Sequence, residues 1–276
     1  MKRRTWESSQ KLKIVLEGLL RKKSLRVKER NEPVLAMIKD IKTDHPFWGY
    51  RRCWAYLYYR EGIKVNKKRI YRLMKENDLL VNKRQYKAKR KSTGPKPRAA
   101  YPNQIWGTDM TKIKIGIWGW YYLVIVLDWY TKEIIGYHLS LQSKSKDWQV
   151  ALERAVQNRF PKGIKDNLVE PLSLVSDNGC QPTSISYMKA CSDLGIKQIF
   201  TSWSNPKGNV DTERVIRTLK EDLVWCYDWD HPFDFQRALE KWVDNYNQDF
   251  PHQSLGYRTP CQYYQEYGKN KEQVLT

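Results

Sequence analysis

Cysteine and histidine, the residues of disulfide frameworks and zinc sites, are few in this chain and poorly spaced for either role. The five cysteines are Cys53, Cys180, Cys191, Cys226 and Cys261, and no two form a C-x-x-C pair. An odd, scattered set excludes a disulfide scaffold and a cysteine-based zinc site. The four histidines, His45, His138, His231 and His252, are scattered as well. No apolar run reaches membrane-spanning length. The basic opening residues are followed by no h-region or cleavage site, so a cytoplasmic protein is expected. No Ser-His-Asp set and no phosphate-cradling glycine loop is evident, so neither triad nor P-loop chemistry is indicated.

Positive charge is what the chain has in excess. Its 276 residues carry 50 Lys+Arg against 30 Asp+Glu, a net charge of +20. Residues 1–100 hold 30 basic and 9 acidic residues, whereas residues 101–276 hold 20 and 21. The whole excess is therefore N-terminal. Such an arm favours a polyanion through counterion release, and nucleic acid is the expected partner. With 41% hydrophobic residues the remainder suits a globular protein with a sizeable core.

Helical periodicity organises the first third. Leu12, Val15, Leu16 and Leu19 predict a short amphipathic helix over 8–21, capped at Ser8 or Ser9. Val34, Leu35, Ile38 and Ile41 predict another over 33–43. A helix with Arg51, Arg52, Trp54, Leu57 and Tyr58 ends near Gly62. Asn66 caps a further one carrying Lys67, Lys68, Arg69, Ile70, Tyr71, Arg72, Leu73 and Met74. Two helices broken at a glycine, the second opening on a basic face, suit a helix-turn-helix that binds DNA. Residues 82–100 lack periodicity, are rich in Lys, Arg, Pro and Gly, and read as a basic linker.

From residue 101 the character changes. Residues 111–116, 120–128 and 132–139 read as three successive strands, with the nearly all-apolar middle one expected to be central. A helix over 146–159, a strand over 171–176, a helix over 184–194 and a strand over 196–200 follow. Helices over about 209–225 and 233–248 close the series. This β-β-β-α-β-α-β-α order is that of a ribonuclease-H-like α/β domain, in which the first strand and a later parallel strand lie side by side.

Three acids occupy telling places in that order. Asp109 precedes the first strand, Asp177 ends the fourth within Ser176-Asp177-Asn178-Gly179, and Glu213 opens a helix with 35 residues between it and Asp177. Taken singly, each has an ordinary explanation: a turn, an Asp-Asn-Gly turn and a solvated helix position. Together they suit hard divalent cations, two of which can drive in-line attack at a phosphodiester. Arg217 and Lys220 follow Glu213 on the same helix face, where they pair with it or hold a DNA backbone. Asp211 reads as a residue that complements the helix dipole, and Asp128 as one that serves a turn.

Ordered blocks carry a family resemblance over roughly residues 32–267. They are HPFWGYRRCWAYLYYREGIKVNKKRIYRLMKENDL at 45–79, IWGTDMTKI at 105–113, SDNG at 176–179, NPKGNVDTERVIRTLKED at 205–222 and PHQSLGYRTP at 251–260. The chain resembles the OrfB-type transposases of bacterial insertion sequences, DDE recombinases of the retroviral-integrase superfamily. The resemblance implies that Asp109, Asp177 and Glu213 bind two divalent cations, Mg²⁺ or Mn²⁺. It implies a helix-turn-helix domain at 32–81, an integrase catalytic domain at 101–267 and a tail at 268–276. The last block, with Trp242, Tyr246 and Asn247, matches the family's C-terminal signature, for which a structural role is expected. Residues 3–19, within a basic segment at 1–31, look like the start of the companion OrfA-type protein. The zinc-binding His/Cys module of retroviral integrases has no counterpart.

The expectation is a DNA transposase that binds element ends, nicks DNA and joins a 3′-hydroxyl to target DNA. It would act as an oligomer on double-stranded DNA, with or without an OrfA-type partner, in association with the bacterial nucleoid. Arg51, Arg52, Lys67, Lys68, Arg69, Arg72, Arg217 and Lys220 are the expected DNA contacts. Two alternatives stand: a ribonuclease-H-like nuclease that does not join strands, and a non-catalytic DNA-binding remnant or regulator of an insertion sequence.

Overall fold

The computed structural model describes residues 29–81, 98–164, 171–201 and 208–275. The helix expected over 8–21 lies outside them, as does most of the 82–100 linker. The chain forms two compact units, Met1–Lys83 and Arg84–Thr276.

In the first unit, α1 spans 29–44, α2 Tyr50–Tyr59 and α3 Lys67–Glu76. The helical spacing of Val34, Ile38 and Ile41 gives α1 one apolar face, and all three side chains are buried. They share the unit's interior with Trp48, Cys53, Leu57, Ile70, Leu73 and Met74. Asn66 caps α3 as expected, its side chain accepting from the Lys68 N–H at 2.8 Å. Arg69 turns back from the expected DNA face. It donates to the Asn31 side chain at 2.8 Å and to the Arg30 carbonyl at 2.7 Å, tying α3 to α1.

The second unit holds a five-stranded sheet of β1 (Ile105–Ile115), β2 (Gly119–Asp128), β3 (Ile134–Ser140), β4 (Ser173–Ser176) and β5 (Lys197–Phe200). Their order is β3-β2-β1-β4-β5. The pairs β1–β2 and β2–β3 are antiparallel, while β1–β4 and β4–β5 are parallel. The middle strand is thus β1 rather than the more apolar β2. β2 owes its apolarity to burial on both faces, which an interior strand next to the centre also has.

Two helical layers cover the sheet. On one face α4 (Ser145–Arg159) and α5 (Ile185–Asp193) close over Trp106, Val124, Val126, Ile135, Leu172 and Leu174. On the other, α6 (Val210–Leu219) packs on β1 and β2, and α7 (Pro232–Gln248) on β3. Strand alternation makes the division: Trp106 turns to the α4 core, and Gly107 turns to Thr212 of α6. The helix expected over about 209–225 is α-helical only to Leu219, and a π-helical turn follows at Lys220–Val224.

The C-terminal signature does structural work. Asn247 on α7 accepts from the Ile134 N–H at 3.0 Å and donates to the Ile134 carbonyl at 2.9 Å. One amide thereby satisfies both backbone groups at the start of edge strand β3. The PHQSLGYRTP stretch forms a tight reversal with Gly256 and Tyr257 at positive φ, then leads into α8 (Pro260–Leu275). α8 continues well past residue 267. Among the described residues no helix is long and apolar enough to cross a membrane.

Gly136 marks the closest approach of sheet and helix. A Cβ there would stand 2.4 Å from the Ala151 carbonyl and 2.7 Å from the Ala155 nitrogen, both backbone atoms of α4. Gly136→Ala should therefore destabilise the unit by about 1–3 kcal/mol, the usual effect of overpacking. Urea denaturation should show the midpoint falling with an unchanged slope.

Candidate active site

The site begins with strand register. β1 and β4 pair in parallel as Ile105↔Ser173, Trp106↔Leu174 and Gly107↔Val175. Two residues beyond the last pair stand Asp109 on one chain segment and Asp177 on the other. Adjacent strands lie about 4.8 Å apart, and residues two apart share a face. The topology therefore brings the two carboxyl-bearing positions level. Asp109 is not ahead of the strand but inside it, opposite Ile125 of β2. Its polar neighbours Thr108 and Thr111 hid the start of β1, because strand recognition leans on apolar alternation.

Asp177 follows β4 directly. Its Oδ1 accepts from the Gly179 N–H at 3.1 Å, making the Asp-Asn-Gly turn. Asn178 donates to the Thr201 carbonyl at 2.6 Å, and Thr201 N–H bonds the Ser176 carbonyl at 2.9 Å. The turn is thereby held to the end of β5.

The third acid arrives on α6, whose start is pinned to β1. Asn209 Nδ2 donates to the Thr108 carbonyl at 3.0 Å, and Trp129 Nε1 donates to Thr212 Oγ1 at 3.1 Å. Gly107 leaves room for both partners, since a Cβ there would lie 2.1 Å from Trp129 Nε1 and 2.2 Å from Thr212 Oγ1. Lys132, at positive φ, bonds Asp211 at 2.9 Å. Asp211 is thus engaged outside the acid set, and Glu213 is exposed one turn into the helix. The contacts of Gly107, Trp129, Asn209 and Thr212 were not legible in sequence. Asn209 before a helix reads as a cap, yet its side chain serves a neighbouring strand.

Charge gathers accordingly. The Asp109 carboxyl is pushed up to about 7, chiefly by burial. Its bond from the Met110 N–H, 2.8 Å long, opposes that rise. The negative charges of Asp177 and Glu213 raise it further, and the Lys220 ammonium lowers it. All three acids and Lys220 therefore share one electrostatic neighbourhood. Among the described residues no three His, Cys, Asp or Glu side chains stand close enough to hold an ion as they are placed. Drawing three like charges together is unfavourable without a cation between them. The donor set, all carboxylate oxygens, fits a hard divalent ion such as Mg²⁺ or Mn²⁺.

The other expected residues divide. Arg217 is exposed and pairs with Glu221 at 2.9 Å rather than with Glu213. Asp128 serves its turn, accepting from Tyr130 and Asn103 N–H groups at 2.8 and 2.9 Å. In the first unit Lys68 is exposed, and Arg72 lies 3.8 Å from Glu76 across one helical turn. Lys67 stands 4.0 Å over the Trp54 ring, Arg52 lies over Trp48, and Arg51 bonds the Tyr50 hydroxyl.

Comparison with known proteins agrees with this arrangement. Two models described as integrase core domain match residues 99–206 and 194–260, and one described as HTH-like domain matches residues 29–87. The transposase InsD for insertion element IS2A/D/F/H/I/K of Escherichia coli is 26% identical over 237 residues, covering 83% of this chain and 77% of that protein. Among solved structures, a chain of the simian T-cell lymphotropic virus intasome in complex with PP2A regulatory subunit B56 gamma shares the fold. It superposes with a TM-score of 0.50 at 19% identity, covering 82% of this chain and 73% of that one. The chain thus combines an HTH-like unit with an integrase core, and it is similar to transposases of insertion elements.

Proposed function

We propose that the chain cleaves and joins DNA at the ends of an insertion sequence, with Asp109, Asp177 and Glu213 as its catalytic carboxylates. The observation that carries this reading is the level placement of Asp109 and Asp177 across β1 and β4, with α6 pinned beside them. The three carboxylates would hold two divalent cations, which when bound neutralise the phosphodiester and favour ionisation of the attacking oxygen. In the first reaction a water oxygen bonds to phosphorus, the bond to O3′ breaks, and a 3′-hydroxyl is released. In the second that hydroxyl attacks a target phosphodiester, and the displaced target oxygen takes up the proton.

The chain's own residues supply placement and charge. Half-buried Asp109 sits on the middle strand, while Asp177 and Glu213 are exposed and have room to close. Lys220, whose charge acts on Asp109, adds a cation where an anionic backbone must approach. The helix-turn-helix at 32–81 would bind duplex DNA, with Lys68 and Arg72 on the outward face of α3. Because two ends must be brought together, two or more protomers would act in one complex.

Labelled DNA carrying the element's own ends, incubated with Mg²⁺ or Mn²⁺, tests the reading. Wild type should give nicked and then joined products, and Asp177→Ala and Glu213→Ala should both fall to background. Nicking without joining would favour a nuclease. Cleavage that survives both substitutions would remove the acids from the chemistry.

The proton affinity of Asp109 gives a second test. An unfolded Asp titrates near 3.9, against about 7 here. Between those values the native state retains a proton that the unfolded chain releases, so this group's contribution to stability falls as pH rises. Metal-free Asp109→Asn should therefore be more stable than wild type near about pH 8, with the advantage shrinking toward about pH 5. Added Mg²⁺ should stabilise wild type at the higher pH and leave the variant unmoved, as read by urea denaturation.

The first unit yields a third. Lys68→Ala with Arg72→Ala should weaken duplex binding and reduce its salt dependence by about one counterion per lost contact. Arg69→Ala, which removes the tie to α1, should instead lower the stability of that unit.

A further inference from the structure

The β1–β2 hairpin extends beyond the helical layer formed by α4 and carries a surface that the reaction above does not use. Lys112 pairs across the strands with Tyr122, and Lys114 with Trp120. Alternation puts these four side chains on one face. Lys112 Nζ stands 5.6 Å from the centre of the Tyr122 ring. Trp120 is 55% exposed, and at the hairpin's end Ile117 is 96% and Trp118 51% exposed. Trp118 meets the His231 ring edge-on, with centroids 5.4 Å apart. No acidic residue occurs between Met110 and Leu127, and among the described residues neither lysine meets a carboxylate.

We propose that this face is a stacking platform for unpaired DNA. Large apolar side chains exposed together and rimmed by polar ones, as Ile117, Trp118 and Trp120 are here, mark an interaction surface. Lysine is depleted from the cores of protein–protein interfaces, so ammonium groups interleaved with aromatic rings argue against a protein partner. Nucleic acid needs both: cations for phosphates and flat rings for bases. A paired base is already stacked within its duplex, so only a strand end, a nick or a melted segment offers a free base face. The proposal rests on the DNA-processing reading, because cleavage and joining generate such ends. Lys112 and Lys114 lie three and five residues along β1 from Asp109, about 10 and 17 Å at strand rise. They face the opposite side of the sheet. That distance corresponds to a few nucleotides at about 3.4 Å each.

The test uses the full chain and a single-stranded thymidine oligonucleotide of about a dozen residues, a length suited to one such site. The oligonucleotide carries 5-iodouracil for photocrosslinking, and excess blunt duplex occupies the N-terminal basic region. Crosslinks should map to residues 118–122. Trp120→Ala should weaken single-strand binding about tenfold, as loss of one stacked base does. Trp120→Phe should restore most of it, and Lys112→Ala with Lys114→Ala should reduce its salt dependence. Crosslinks confined to other segments, with unchanged affinity in Trp120→Ala, would overturn the platform. So would a native mass that falls from oligomer to monomer in Trp118→Ser/Trp120→Ser, which would make the patch a contact between copies. Failure of the underlying reading looks different: wild type then shows no metal-dependent nicking at all.

Discussion

A single amide, the Asn209 side chain on the Thr108 carbonyl, holds together what the rest of this molecule arranges separately. The parallel pairing of β1 and β4 sets two acids level, but it says nothing about where a helix more than thirty residues later must start. The Asn209 bond, backed by Trp129 on Thr212, fixes that start one residue from Asp109. Buried, such bonds are worth more than their net value in water, since a lost partner leaves a desolvated polar group behind. Gly107 is the steric condition for this junction, because any side chain there would occupy the space of Trp129 and Thr212.

The electrostatics follow from that geometry. A half-buried carboxyl in the middle strand, with the charges of two further acids acting on it, holds its proton to about neutral pH. That is unfavourable for the fold alone and useful for binding a divalent cation, which would compete for the same oxygens. Lys220 moderates the excess negative charge from the same helix. The site is thus built under tension between like charges, relieved by a proton at low pH and, on the proposed reading, by metal at higher pH.

Much of this was legible in the sequence wherever one local rule sufficed. The i, i+4, i+7 spacing of Val34, Ile38 and Ile41 gave α1, the Asn66 cap gave the start of α3, and Asp177 emerged at the end of its strand. What was not legible depended on long-range partners. Thr108 and Thr111 made β1 look shorter than it is, so Asp109 seemed to precede the strand. The apolarity of β2 suggested a central place, although two-sided burial is common to every interior strand. The partners of Arg69 and Arg217 within the fold were not legible either. Arg69 is engaged by Asn31 and the Arg30 carbonyl, and Arg217 by Glu221. A cation's partner is chosen by the folded neighbourhood, which composition and spacing do not encode.

The central claim is that β1, β4 and α6 build one cation site from three acids. The most direct measurement is anomalous scattering from a crystal of the full chain soaked in Mn²⁺. The account predicts a manganese peak bounded by the carboxylates of Asp109 and Asp177, with Glu213 turned toward it, and its loss in Asp109→Asn. Manganese found only at other carboxylates, with the three acids left apart, would contradict it.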